Sequence, residues 1–401
     1  MKYQSAINKL RKPDGMIWLY LLSGACCVVF CIYATIKITN GFSEEKLLKE
    51  NQELLMKIRQ NQLSGDKTLK PENIEVKTLK PENFQTFFEP KTFKLENILS
   101  DSEFLEDEKT KKIFLLETHM DEVRILENAR QACSVESAAI TNPEAHVYFI
   151  LATNSSQVLL KYSELAKVLM SYNNIHIRYL NIYEFSKGTI LESLIAQNTI
   201  LKSRFPIEHM ADVMRVMVLS RYGGTYLDLD VLSLVPIAVI NQENFACPEN
   251  DNVITNAVVN IGHKNHEVMQ AYLHKLNSSY NPNEWAANGP NMLTNAIRLF
   301  CEGTTLEKHR MTKCGDFTTF SSEKCYPIEY GDYWMFYNSK SYKNVTKILN
   351  ETQPYFLHIW NKMLNFTQQE FKLTYSEPSS YVELGKKYCP QVIRTTEKYF
   401  R

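Results

Sequence analysis

The sequence has no excess of charge of either sign and no pair of cysteines with the Cys-x-x-Cys spacing, and each absence argues against a class of protein. Of its 401 residues, 45 are Lys or Arg and 45 are Asp or Glu. No net field therefore draws the chain to nucleic acid, and we predict no nucleic-acid partner. No Cys-x-x-Cys pair occurs, which argues against a structural zinc site. Apolar residues make up 44% of the chain, enough for a sizeable core.

Long apolar runs are also scarce, and the exception is the uncharged stretch 16–36. Its length matches the ~20 residues that cross a bilayer as a helix. Basic residues cluster before it rather than after it, which places the N-terminus in the cytoplasm (Lys2, Lys9, Arg11 and Lys12, against Lys37 alone). We predict a cytoplasmic tail at 1–15, a transmembrane signal anchor at 16–36 and a lumenal remainder. A cleaved signal peptide is the alternative, although its apolar core is shorter, about 7–15 residues.

Cysteines beyond the predicted anchor number six, and an even number in a chain exported to an oxidising lumen suggests disulfides. Their pairing stays open at this stage, because six cysteines allow 15 connectivities. They are Cys133, Cys247, Cys301, Cys314, Cys325 and Cys389.

Asn-x-Ser/Thr sequons occur five times, all of them beyond the anchor, as a lumenal body requires. We take them as candidate N-glycosylation sites. They begin at Asn154, Asn277, Asn344, Asn350 and Asn365.

Residues 37–109 form the predicted stem. KTLKPENIEV at 67–76 is repeated as KTLKPENFQT at 77–86 and echoed at 91–97. Prolines spaced among alternating charges cannot bury a core, so this segment is a tether. The stem and the anchor also offer a route to a homo-oligomer.

A globular domain is predicted from 110 to 401. Apolar runs at 112–118 and 146–153 and an alternating run at 174–180 read as strands, with a helical pattern between the first two. Strands that alternate with helices predict an α/β domain with a mostly parallel sheet, which binds ligands at the carboxyl ends of its strands.

The stretch RYGGTYLDLDVLSL at 221–234 carries the chemistry. A helix at 209–224 would place Asp212 and Arg215 on one side and end at a Gly-Gly pair. The strand that follows would put Asp228 and Asp230 on one face, unless a bulge intervenes. Two such carboxylates repel each other unless they share a proton or a cation, which favours Mn²⁺ or Mg²⁺ here. A phosphatase strand of the type DxDx[T/V] is an alternative, but Leu232 occupies its fifth position.

With its upstream Asp-x-x-Arg, RxGGxYLDxD resembles the lactosylceramide 4-α-galactosyltransferase and α-1,4-N-acetylglucosaminyltransferase family. Other pieces in the order of that family are FLLET, CSVESAA, NPEAHV, NGP, CYPI, HIWNK and YCP, between 114 and 390. The chain departs from the family at 255–260, where TNAVVN replaces an Asn-Gly-Ala pattern. The resemblance implies a GT-A-type nucleotide-sugar-binding fold and a type II protein of the Golgi membrane.

Residue roles follow from the same resemblance. Asp228 and Asp230 would be catalytic through the metal that they bind, and Asp212 and Arg215 would grip the donor sugar. His358 is a further candidate metal or diphosphate ligand. The remaining candidates are Trp360 and Lys362 over the nucleotide, and Trp285, Asn288 and Gly289 on the acceptor side. We expect Glu136 to be structural.

The implied activity is a retaining transfer of Gal or GalNAc from a UDP-sugar, in α-1,4 linkage, to the terminal sugar of a glycosphingolipid. The absence of an evident carboxylate nucleophile favours a front-face displacement, in which the leaving phosphate takes the acceptor's proton. The alternative is a non-catalytic, membrane-tethered protein that binds glycan or UDP.

Overall fold

The computed structural model describes residues 19–21, 28–30, 92–119, 121–302, 307–366 and 379–397. The chain separates into two units, 1–87 and 88–401. In the first unit the described residues form an antiparallel pair of strands, β1 (Leu19–Leu21) and β2 (Val28–Phe30). Most of the predicted anchor, the tail and the stem repeats at 67–86 lie outside the described residues. Among the residues that are described, no helix is long and apolar enough to span a bilayer.

Fourteen strands lie in the described part of the second unit. They are β3 (Thr92–Lys94), β4 (Glu96–Asn97), β5 (Lys112–Thr118), β6 (Val123–Ile125), β7 (His146–Thr153), β8 (Leu159–Lys161), β9 (Ile175–Asn181), β10 (Gly224–Leu227), β11 (Val231–Ser233), β12 (Asn244–Asn250), β13 (Val253–Ile261), β14 (Thr312–Cys314), β15 (Phe317–Thr319) and β16 (Phe356–His358).

The α-helices of the second unit alternate with these strands. They are α1 (Ser102–Leu105), α2 (Ala129–Thr141), α3 (Glu164–Met170), α4 (Ile182–Ser186), α5 (Glu192–Ala196), α6 (Pro206–Tyr222), α7 (Glu267–Ser279), α8 (Pro290–Phe300), α9 (Tyr342–Thr352), α10 (Asn361–Phe366), α11 (Ser380–Tyr388) and α12 (Pro390–Glu397). Short 3₁₀ turns join several of them.

The main sheet of the described residues has nine strands in the order β14-β15-β12-β13-β10-β5-β7-β9-β4. From β10 to β4 every neighbouring pair is parallel. On the other side of β10, strands β13, β12 and β14 introduce antiparallel pairs. The predicted α/β domain with a largely parallel sheet is confirmed, with a mixed edge that the sequence pattern did not indicate.

Helices cover both faces of this sheet, and β5 shows how its sequence allows that. Ile113 and Leu115 pack into the core shared with α2 and β11. Phe114 and Leu116 pack into the opposite core, shared with α6 and α7. Because neighbouring side chains on a strand point to opposite faces, a continuous apolar run is what a doubly covered strand needs.

The domain begins before residue 110. Glu96–Asn97 pairs in parallel with β9, and Arg178 on β9 binds the buried carboxylate of Asp101 with Nε at 3.0 Å from both oxygens. Residues 92–109, predicted as the end of the stem, are therefore part of the second unit. Long-range pairing of this kind leaves no local sequence signal.

All six cysteines beyond the predicted anchor form disulfides, as predicted: Cys133–Cys389, Cys247–Cys325 and Cys301–Cys314. The first joins α2 to the start of the C-terminal helix α12 across 256 residues of sequence. It closes a long loop, which is where chain-entropy models place the largest gain. The C-terminal helices are thereby held on the core that contains α2.

Glu136 provides the second attachment of the C-terminus. Its buried carboxylate accepts the backbone N–H groups of Gln391 and Val392 at 2.9 and 2.8 Å and also binds the hydroxyl of Tyr172. These N–H groups belong to the first turn of α12, where an anion satisfies otherwise orphaned donors. The expected structural role of Glu136 agrees with this geometry.

We predict that Glu136→Ala lowers the free energy of unfolding by about 2–3 kcal/mol, because it leaves two N–H groups without an acceptor. Urea denaturation measures the loss. Glu144→Ala, on an exposed turn, is the control and should change little. An unfolding midpoint unchanged in Glu136→Ala would contradict the capping role.

Candidate active site

A tight turn between α6 and β10 begins the site. Gly223 and Gly224 have φ of 64° and 94°, a conformation that favours glycine. A Cβ on Gly224 would lie 2.7 Å from the carbonyl oxygen of Lys112, so β10 can approach β5 only with glycine there. The predicted helix stop at the Gly-Gly pair is confirmed, with α6 ending at Tyr222.

The predicted strand through Asp228 and Asp230 is wrong. Strand β10 ends at Leu227, residues 228–230 form a turn, and β11 starts at Val231 in a different sheet. The Val231 N–H donates to the Asp228 carbonyl at 3.0 Å and closes that turn. The two carboxylates are therefore brought to one end of β10 by the turn, not by the alternation of a strand.

His358 is brought to the same turn by a short antiparallel ladder. Strand β16 pairs with β11 so that His358 lies opposite Val231. Its Nε2 is 3.1 Å from Oδ1 of Asp230, and the Asn361 N–H donates to Oδ2 of the same carboxylate at 3.0 Å. One ligand atom from each of Asp228, Asp230 and His358 lies within 4.8 Å of the others.

This donor set fits a divalent ion such as Mn²⁺ or Mg²⁺. Two carboxylates supply the oxygen ligands that these ions favour, and one imidazole is also accepted by Mn²⁺. The buried Nδ1 of His358 has no hydrogen-bond partner among the described residues, which is costly unless a ligand uses it.

The charges of Asp230 and His358 act on each other. Burial disfavours the imidazolium, but the carboxylate of Asp230 outweighs it, helped by Asp228 and Glu249, so the pKa of His358 is raised. Burial would raise the pKa of Asp230, yet His358 and the backbone N–H of Asn361 hold it below its usual value. Without a metal, the site carries a proton on His358 to a higher pH than a free imidazole does.

Arg215 links α6 to the same turn. Its guanidinium is buried and lies 3.0 Å from Oδ1 of Asp228 and 3.5 Å from Oδ1 of Asp212. It also stacks on the Tyr226 ring at 4.6 Å, and the Tyr226 hydroxyl donates to Asp228 at 2.8 Å. Burial alone would lower the pKa of Arg215, but Asp228 raises it, so the guanidinium stays charged.

Asn256 is the residue that sequence reasoning missed. Its carbonyl accepts from Arg215 Nη1 at 2.8 Å, and its side-chain amide donates to Asp212 Oδ1 at 2.8 Å. It belongs to TNAVVN, where the chain departs from the family pattern. Its neighbour Ala257 accepts the Asp228 N–H at 2.9 Å. That departure marks a structural part of the site, although the sequence alone did not show which atoms it served.

Trp360 lies in the short loop after β16, and Lys362 lies in the first turn of α10. Trp360 has φ of 52°, a strained conformation for a bulky residue, and its Nε1 donates to the Ile328 carbonyl at 2.8 Å. Its ring lies 4.0 Å from that of His358. The Lys362 ammonium binds the Glu208 carboxylate and lies 5.2 Å from the centre of the Trp285 ring. The predicted nucleotide-side lysine and acceptor-side tryptophan are thus in contact.

Asn288 and Gly289 support the site from behind. Asn288 is fully buried, and its side chain exchanges hydrogen bonds of 2.9 and 2.7 Å with the backbone of Asn281, so it builds the loop. A Cβ on Gly289 would lie 2.4 Å from Oδ1 of Asp212 and 2.7 Å from the Asn256 amide. Gly289 is needed because the Asp212 carboxylate packs against its backbone.

A second group with metal-ligand chemistry, His263, His266 and Asp316, does not fit a metal. His266 begins α7, and its Nδ1 accepts the Val268 N–H at 3.1 Å. Neutral His266 therefore carries its proton on Nε2, which lies 3.3 Å from Asp316 as a donor. The nitrogen that a metal would need is protonated, and the arrangement is a helix cap.

Two family models match the chain, each over a separate segment. The glycosyltransferase sugar-binding region containing the DXD motif matches 128–246, and the alpha 1,4-glycosyltransferase conserved region matches 261–396. The first contains Asp228 and Asp230 and the second contains His358. The predicted resemblance to the α-1,4-glycosyltransferases is confirmed.

The chain is also similar to whole proteins that are named as α-1,4-glycosyltransferases. The chain is 28% identical to mouse lactosylceramide 4-alpha-galactosyltransferase, over 72% of this chain and 76% of the relative. It is 26% identical to the human protein of that name, over 72% and 78%, and 26% identical to human alpha-1,4-N-acetylglucosaminyltransferase, over 66% and 75%. These similarities do not separate a galactosyl from an N-acetylglucosaminyl α-1,4-glycosyltransferase.

Solved structures give weaker likenesses. PaToxG glycosyltransferase superposes with a TM-score of 0.38 at 14% identity, over 72% of this chain and 87% of the other. An active-site mutant of LgtC superposes with a TM-score of 0.32 at 14% identity, over 62% and 86%. Both values are too low to establish a shared fold.

The candidate N-glycosylation sites remain predictions. Asn277, Asn344 and Asn350 are exposed, and Asn154 is half-buried. Asn365 lies in α10, and its side chain is outside the described part of the structure.

We predict that Gly289→Ala abolishes most activity and lowers thermal stability, because the new methyl group displaces the Asp212 carboxylate. The unfolding temperature and the rate of UDP-sugar turnover measure the two effects. Gly331→Ala is the matched control for stability, since a Cβ added at Gly331 would meet no heavy atom within 4 Å. Equal stability of the two variants would contradict the close packing of Gly289 on Asp212.

We predict that affinity for Mn²⁺ falls as the pH drops through the raised pKa of His358. The imidazolium must lose its proton before the site can accept a cation, so the loss begins at a higher pH than for free imidazole, ordinarily about 6.5. Calorimetric titration with MnCl₂ between about pH 5 and 8 measures it. In His358→Gln the affinity should be weaker and nearly independent of pH over that range. A wild-type affinity that is flat with pH would count against His358 as a ligand.

Proposed function

We propose that this chain is a retaining GT-A-type glycosyltransferase that moves Gal or GalNAc from a UDP-sugar in α-1,4 linkage to the terminal sugar of a glycosphingolipid. The observation that carries this proposal is the cluster of Asp228, Asp230 and His358. Arg215, which is buried together with Asp212, contacts this cluster at Asp228. The two aspartates lie in the segment that matches the DXD-containing sugar-binding model, and His358 lies in the segment that matches the alpha 1,4-glycosyltransferase model. The names of the relatives support the linkage and the class of acceptor.

Asp228, Asp230 and His358 would hold the divalent ion, Mn²⁺ or Mg²⁺. When bound, the ion supplies the positive charge that a leaving diphosphate requires. Asn361 and the β11–β16 ladder fix the positions of Asp230 and His358 before any ligand binds. Preorganised groups of this kind cost no rearrangement at the moment of reaction.

Asp212 is the group that we propose for binding donor-sugar hydroxyls. Arg215 has a different part in this proposal, because its guanidinium is directed to Asn256, Asp228 and Asp212. It positions the two carboxylates, because it lies 3.5 Å from an oxygen of Asp212 and 3.0 Å from an oxygen of Asp228. Lys362 and Trp360 would lie at the nucleotide side, and Trp285 at the acceptor side.

Retention follows from a front-face displacement in this proposal. The bond from the anomeric carbon to the UDP oxygen breaks as the acceptor oxygen bonds to the same face, and the acceptor's proton passes to the leaving phosphate. No covalent sugar–enzyme bond is needed. The phosphatase alternative would use Asp228 as a nucleophile, but Arg215 and Tyr226 both bind its Oδ1.

We also propose that the protein is a type II protein of the Golgi membrane with its catalytic domain in the lumen. The charge asymmetry around 16–36 and the three disulfides of the second unit support this placement. Disulfides of this kind persist in the secretory pathway and are rare in the cytosol.

Glycolipid mass spectrometry tests the activity. Cells that express the full chain should gain a glycosphingolipid heavier by one hexose or one N-acetylhexosamine, and the added mass identifies the donor. NMR of the product should show an α anomeric proton. A protein that binds UDP with Mn²⁺ but adds no sugar would favour the non-catalytic alternative.

We predict that Asp230→Asn lowers transfer at least ~100-fold, because one carboxylate of the cation site is lost. Radiolabelled transfer from the UDP-sugar, with and without MnCl₂, measures the change. Asp121→Asn, at an exposed position, is the control. Full activity in Asp230→Asn would rule out the metal role.

A further inference from the structure

Glu249 lies at an irregular point of the sheet beside the site. In the β12–β13 pairing, Pro248 lies opposite Ile254 and Asn250 lies opposite Val253, so Glu249 is an extra residue without a partner on β13. Such a bulge re-aims the side chain that it inserts and is common next to active sites. The same end of β13 passes Asp228, whose N–H binds Ala257. The bulge therefore stands at the edge of the sheet where the site lies.

The chain around Glu249 is tied to the site by a disulfide. Cys247 is bonded to Cys325, and the Cys325 carbonyl accepts the His358 N–H at 3.2 Å. The charge of Glu249 acts on His358, and the other charges that face it are Glu329 and Lys308. The Lys308 ammonium is 2.5 Å from a Glu329 oxygen, so that lysine is bound elsewhere. In the part of the chain that the structure describes, no hydrogen bond or ion pair reaches the half-buried Glu249 carboxylate. A carboxylate in this state is a ready acceptor for a ligand's hydroxyl groups.

Lys308 connects this end of β12 to an aromatic surface. Its N–H donates to Oδ1 of Asp251 at 2.7 Å, and its ammonium binds Glu329. Tyr330 follows Glu329 directly and is 54% exposed, and its ring meets that of Trp360 edge-on at 6.2 Å. Trp360 in turn lies against His358. A carboxylate near an exposed aromatic ring suits a sugar ligand. The carboxylate accepts hydrogen bonds from the sugar's hydroxyl groups, and the flat apolar ring packs against its C–H groups.

We propose that Glu249 and Tyr330 bind the terminal hexose of the acceptor, with Glu249 accepting hydrogen bonds from its hydroxyl groups. This inference rests on the proposed function.

The test uses the full chain in detergent, UDP-Gal or UDP-GalNAc as donor, and lactosylceramide or free lactose as acceptor. Glu249→Gln should raise the acceptor KM about 10- to 100-fold, since a charge-assisted hydrogen bond is lost. Tyr330→Ala should raise it about 3- to 10-fold. Hydrolysis of the UDP-sugar without acceptor should stay within about twofold of wild type for both, because the donor site is intact.

Glu323→Gln, at a half-buried glutamate whose carboxylate is paired with His309, is the matched control. Trp285→Ala tests the other acceptor-side candidate. An unchanged acceptor KM in Glu249→Gln overturns the inference. So does an acceptor KM that rises in Trp285→Ala but in neither Glu249→Gln nor Tyr330→Ala. Equal losses of transfer and hydrolysis in Glu249→Gln would place the residue at the donor and also overturn it. A wild-type chain that transfers nothing to either acceptor would refute the proposed function itself. A common shift with lactosylceramide and lactose shows that the sugar is read, and a shift with lactosylceramide alone overturns the sugar assignment.

Discussion

The guanidinium of Arg215 holds the two acidic parts of the site together. Two carboxylates placed close together repel each other unless a cation lies between them. The buried guanidinium of Arg215 lies 3.5 Å from Asp212 on α6 and 3.0 Å from Asp228 at the end of β10. Removing one partner from a buried set of charges leaves the others uncompensated, at a cost of about 3–5 kcal/mol. The Tyr226 ring and the Asn256 carbonyl complete the surroundings of the guanidinium. The relative positions of Asp212 on α6 and Asp228 after β10 thus depend on the guanidinium of Arg215.

The irregular strand β13 also contributes contacts to the site. Between its pairs with β12 at Val259 and Ile254 the register shifts, and the freed residues turn to other partners. Asn256 binds Asp212 and Arg215, Ala257 holds the Asp228 N–H, and Thr255 binds the Tyr326 hydroxyl. The part of β13 that contacts the site is thus the part where its pairing with β12 is irregular.

The fold and the site also share their restraints. Cys247–Cys325 joins β12 to the segment whose Cys325 carbonyl accepts the His358 N–H at 3.2 Å. Gly289 lets the loop before α8 press on Asp212, and Gly224 lets β10 press on β5. Close contacts of this kind restrict the motion of each carboxylate, and rigid placement is what discrimination between similar hydroxyl groups requires.

Local patterns in the sequence determined the α/β class and the helix stop at Gly223 and Gly224. Apolar runs, turn glycines and repeated motif residues carry those signals within a few positions. The family resemblance pointed to Asp228, Asp230 and His358 as candidate ligands, and the structure brings them within 4.8 Å of one another. Tertiary structure decided the rest: the turn that breaks the strand at Asp228, the pairing of the six cysteines, the domain start before residue 110, and the contacts of Asn256 and Glu249. Each of these depends on a partner distant in sequence, whose approach is set by strand register and packing, and no local pattern encodes that distance.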